Sequence, residues 1–101
     1  MQPEQPIAAP KRVTVVAGVA AECPFEKGSN REAWYLYAQS MVGKTADEFV
    51  ADATAKAKAG QAVTYHKRGK RAGQAEDPVE WLLWMASKGG SHAVKLAHKV
   101  A

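Results

Sequence analysis

A chain of 101 residues with 47% hydrophobic content fits one domain, because a chain of this size buries roughly 60–70% of its unfolded surface on folding, and a second domain does not fit. The formal net charge of +4 and isoelectric point near 9.3 favour polyanionic or acidic partners, although a basic balance also serves solubility alone. No apolar run approaches the roughly 20 residues needed to cross a bilayer, and the single cysteine, Cys23, has no partner for an internal disulfide, so a reducing, cytoplasmic setting without membrane contact is expected.

Residues 1–12 carry Pro3, Pro6 and Pro10, which remove backbone donors and bias the preceding residues away from helix. A flexible leader is expected there, followed by a single small domain over 13–101. Lys11 and Arg12 before the apolar stretch Val13 to Ala21 resemble an export signal, but that run is short and Glu22 stands beside Cys23 where a lipoprotein cleavage site takes a small residue. Val13-Thr14-Val15-Val16 is β-branched and fits a short strand or an extended arm, interrupted by Gly18 and Cys23-Pro24.

Three helices are clearly punctuated. Ser29-Asn30-Arg31-Glu32 is a capping box; Trp34, Tyr37, Ala38 and Met41 then share one face, and Gly43 closes the helix. Thr45-Ala46-Asp47-Glu48 repeats the box, with Ala46, Phe49, Val50, Ala53 and Ala57 on one face before Gly60. Asp77-Pro78-Val79-Glu80 starts the third helix with an N-cap aspartate and proline at the first helical position. Its apolar residues nearly encircle it, and Gly89-Gly90 stops it. Ser91 reads as the cap of a last short helix with Ala93, Val94, Ala97 and Val100 on one side. The expected fold is mainly α: a small three- to four-helix domain with a short N-terminal extended segment and a basic loop or hairpin between helices two and three.

Several motifs suggest chemistry. Ala38-Gln39-Ser40-Met41-Val42-Gly43-Lys44-Thr45 fits a loosened phosphate-loop pattern, but a true one follows a buried parallel strand, whereas a capped helix precedes this one. The same turn has helix-turn-helix spacing, yet Asp47 and Glu48 would lead the recognition helix toward DNA's negative potential. His66, His92 and His98 lack metal-ligand spacing, Cys23 has no histidine near it in sequence, and Glu32, Glu48, Asp77 and Glu80 have capping assignments. No catalytic constellation, metal or cofactor is expected, and the chain is read as a non-enzyme.

Two candidate sites remain. Tyr65, His66, Lys67, Arg68, Lys70 and Arg71 form a basic segment with an aromatic neighbour, a pattern that neutralises phosphates and stacks on bases. Trp81, Trp84 and Met85 are expected chiefly as core, but left partly exposed they would anchor a protein partner or a homodimer. The expected function is a small basic nucleic-acid-binding accessory or regulatory protein, contacting DNA or RNA through the loop with help from the basic end of the last helix. The alternative is an adaptor or inhibitor of bacterial or bacteriophage type, which binds an acidic protein partner through its Trp-rich helix.

Overall fold

The computed structural model describes residues 12–100. The leader expected over 1–12 lies, Arg12 excepted, outside the described residues. In chain order the elements are strand β1 (Arg12–Val19), helices α1 (Asn30–Ser40), α2 (Ala46–Lys58) and α3 (Pro78–Ala86), a 3₁₀ turn over Lys88–Gly90, and strand β2 (Val94–Val100).

The capping signals act locally as their chemistry dictates. Ser29 Oγ accepts from the Glu32 amide at 3.1 Å, while the Glu32 carboxylate reaches one residue past the cap to the Gly28 amide. Thr45 and Glu48 close a full reciprocal box. Asp77 accepts from the Val79 amide with Pro78 at the first position of α3. Each bond satisfies a donor that the helix itself leaves unpaired.

The fold class differs from the expectation. The described residues form a small α+β domain of three helices and a two-stranded antiparallel sheet, not a mainly α three- to four-helix domain, because the segment read as a fourth helix is β2. It pairs with β1 from Arg12↔Val100 to Val19↔Val94, with a register shift between Val16 and Gly18. Two causes act together. Ser91 and His92 take left-handed backbone angles (φ 58° and 49°), which a right-handed helix starting at Ser91 forbids. The β-branched β1 also needs a ladder partner for its backbone groups, and β2 supplies one.

On its other side β1 meets the α1–α2 turn. The Val16 amide donates to Lys44 O and the Gly43 amide donates to Val16 O, at 2.9 and 2.8 Å, so β1 is bonded along both edges. Gly43 (φ 92°) occupies a conformation that suits glycine.

The core comprises Val16 from β1, Trp34, Tyr35 and Ala38 from α1, Phe49 and Ala53 from α2, Leu82 and Met85 from α3, and Ala93 and Val94. Gly90 is buried beneath α3, where an added Cβ would lie 2.7 Å from Met85 Cα; the close approach of turn and helix requires glycine. Tyr37 donates to the Asp52 carboxylate between α1 and α2. Burial, reinforced by that hydrogen bond and by the charge of Asp52, raises its phenol above the usual tyrosine range. Among the described residues no helix is long and apolar enough to cross a membrane.

Candidate functional site

The segment between α2 and α3 is an ordered hairpin-like loop. Its stem carries a bridge between Tyr65 and Ala75, and His66 bonds both ways across it: its amide donates to Gln74 O and its carbonyl accepts from the Gly73 amide, each at 2.8 Å. The tip is folded on itself by Ala72 N–H to Gly69 O and Gln74 N–H to Arg71 O, with Gly69 and Gly73 at φ 79° and 85°. No strand forms over 62–65; the only strand-like pairing there is the single bridge at Tyr65.

A polar chain fastens this hairpin to the core. The indole N–H of buried Trp34 donates to Thr64 Oγ1, and the Thr64 hydroxyl donates to Glu76 Oε1 at 2.7 Å. Asn30 Nδ2, at the start of α1, donates to the same carboxylate oxygen at 2.7 Å and to Tyr65 O at 3.2 Å. His66 Nδ1 lies 3.7 Å from Glu76 Oε2. Glu76 thus holds together the stem and α1.

The six residues expected to bind nucleic acid divide into two groups. Tyr65 is exposed but turned to its own loop, its hydroxyl accepting from the Ala62 amide, and His66 is half-buried against Glu76. Lys67, Arg68, Lys70 and Arg71 are exposed at the tip. Among the described residues no lysine or arginine forms a salt bridge with a carboxylate, so these four charges are uncommitted.

On α3, Met85 is fully buried in the core, whereas Trp81 and Trp84 are half-buried. Trp81 stacks on Trp34 with centroids 5.9 Å apart and planes 13° apart, and meets Trp84 edge-on. Phe25 stacks on Trp84 at 5.4 Å, and the Arg31 guanidinium lies 5.0 Å from the centre of the Trp84 ring, within cation–π range. On the outer side of α3, Leu83 is 59% exposed and Val79 is 43% exposed.

Two cavities bring the basic tip and the tryptophans together. One, about 580 Å³, is lined by Pro24, Phe25, Glu26, Arg31, Lys67, Arg68 and Trp81, among others. The other, about 320 Å³, is lined by Arg31, Glu76, Glu80, Trp81 and Trp84. Arg31 and Trp81 belong to both, so the cavities adjoin. Sequence reasoning missed Phe25, Arg31, Glu76 and Glu80 here. Arg31 and Glu80 were absorbed into helix starts, and Glu80 makes no side-chain hydrogen bond among the described residues.

The other motifs are occupied by structure. In the phosphate-loop-like turn, the Gly43 and Lys44 amides donate to Val16 O and Met41 O, and Thr45 caps α2, which leaves no open cradle of amides. The histidines lie apart: His92 Nδ1 is 3.0 Å from Ala86 O and His98 Nδ1 is 3.0 Å from Thr14 Oγ1. Among the described residues no three His, Cys, Asp or Glu side chains are grouped to hold a metal ion. Cys23 is half-buried. Comparison with protein-family models, with curated proteins and with solved structures finds no match to this chain.

Proposed function

We propose that the protein is a small, non-enzymatic nucleic-acid-binding accessory or regulatory protein whose contact surface is the 67–71 tip. The observation that carries this reading is the hairpin itself: four exposed cations without carboxylate partners among the described residues stand on a stem that is fastened to buried Trp34 through Thr64 and Glu76. A loop present only for solubility needs no such anchorage. Preorganised cations lose less entropy when they meet phosphates, and each phosphate neutralised releases counterions. The test is a variant with Lys67, Arg68, Lys70 and Arg71 all changed to glutamine. It should keep its fold and lose binding to nucleic acid; undiminished binding by the folded variant would remove the tip from the interface.

A second reading, an adaptor or inhibitor of another protein, is favoured by the exposure of Val79 and Leu83, four residues apart on α3. Its contact face would be this stripe, the most solvent-open large apolar side chains of α3, beside the half-buried Trp81 and Trp84, while Met85 is buried. Leu83→Glu would then abolish capture of a protein partner while leaving nucleic-acid binding unchanged.

A further inference from the structure

The two adjoining cavities differ in charge around a shared aromatic floor. The larger carries Lys67, Arg68 and Arg31 against one carboxylate, Glu26; the smaller carries Glu76 and Glu80 against Arg31. Trp81 lines both, with its indole backed by the buried indole of Trp34. A flat ring in a concave site, with cations on one flank and a carboxylate acceptor on the other, matches three features of a nucleotide: the plane of its base, the N–H donors on the base edge, and its phosphate. The cavity volumes of about 320 and 580 Å³ lie within or near the range of roughly 300–1,000 Å³ typical of small-ligand sites.

We propose that this face binds single-stranded nucleic acid, with one base stacked on Trp81, its amine-bearing edge toward Glu80, and the adjoining phosphate on Lys67 and Arg68. The proposal rests on the nucleic-acid reading above and narrows it. In a duplex the base faces are covered by their neighbours, so a stacking platform recessed between Phe25, Arg31 and the basic tip engages only an unpaired base. The orientation follows from charge: a phosphate beside Glu76 and Glu80 is repelled, while beside Lys67 and Arg68 it is neutralised. Of the two carboxylates Glu80 is the available one, because Glu76 Oε1 already accepts from Thr64 and Asn30. A carboxylate accepts hydrogen bonds from the exocyclic amines of cytosine, adenine and guanine, and thymine and uracil carry no such amine.

The test uses the full chain and labelled homo-oligonucleotides of each base, as DNA and as RNA, beside a mixed-sequence duplex. Single strands are expected to bind more tightly than duplex, with amine-bearing bases ahead of thymine or uracil; comparison of the DNA and RNA arms identifies the natural sugar. Trp81→Leu should weaken single-strand binding by about 10-fold or more, the loss typical of one stacked base, and Trp81→Phe should restore most of it. If Trp81→Leu fails to fold, Glu80→Ala serves alone, since the Glu80 side chain is exposed and makes no hydrogen bond among the described residues; removing the carboxylate acceptor should reduce the preference for amine-bearing bases over thymine or uracil. Equal affinity for duplex and single strands, or a base preference untouched by Glu80→Ala, would overturn the groove proposal while leaving the basic tip in place. No binding to any nucleic acid at low salt would overturn both.

Discussion

The indole N–H of Trp34 donates to the hydroxyl of Thr64, thirty residues away in sequence, and this bond joins the hydrophobic core to the basic hairpin. Thr64 is buried, 6% exposed; its hydroxyl passes the connection on to Glu76. Thr64→Val removes the acceptor of a buried donor and a donor to Glu76 in one step. Leaving a buried group unpaired costs about 1–3 kcal/mol, so the variant should lose stability in urea by that amount and become more susceptible to proteolysis at the tip. Thr64→Ser, which keeps the hydroxyl, should behave like wild type. Unchanged stability in Thr64→Val would show that the hairpin is not held this way.

Gly90→Ala should be among the most damaging single substitutions in the chain. Its Cβ would meet backbone atoms of Trp84 and Met85, which cannot swing aside as a flexible side chain does. Overpacking of this kind costs about 3 kcal/mol, and a melting temperature at least about 10 °C below wild type is expected, given roughly 4–8 °C per kcal/mol at about this size. Gly18→Ala is the control, because nothing lies within 4 Å of its added Cβ; its melting temperature should stay near wild type.

The helical part of the fold was readable because its signals are local. Ser29, Thr45 and Asp77 each cap within three residues of themselves, so spacing alone locates the helix starts. The last strand was not readable for the opposite reason. Ala93, Val94, Ala97 and Val100 satisfy helical spacing, while Val94, Leu96, His98 and Val100 alternate as a strand, and what decides between them is pairing with β1 at the far end of the chain. The site divides likewise. The basic tip is a contiguous run and was legible, whereas Phe25, Arg31 and Glu76 meet Trp81 only in three dimensions, and Glu80, its neighbour in sequence, reads as part of a helix start.

Tyr37 gives the fold an alkaline limit. Its phenol is held above the ordinary tyrosine range, chiefly by burial and then by the hydrogen bond and charge of Asp52. The folded state therefore binds that proton more tightly than the unfolded chain does. Its contribution is full below the unfolded tyrosine value of about 10 and is lost as pH rises from there toward the folded value. Urea midpoints of wild type should fall as pH is raised above about 10, and those of Tyr37→Phe should fall less steeply. Equal slopes would mean that another group controls alkaline unfolding.

The salt dependence of wild-type affinity for single-stranded and duplex nucleic acid, measured by fluorescence anisotropy, tests most directly whether the exposed charges of the tip bind phosphates. Four phosphates neutralised by Lys67, Arg68, Lys70 and Arg71 predict a fall of log K with log salt of slope roughly −3 on a single strand. A slope near zero, or no binding at low salt, would show that the tip does not bind nucleic acid.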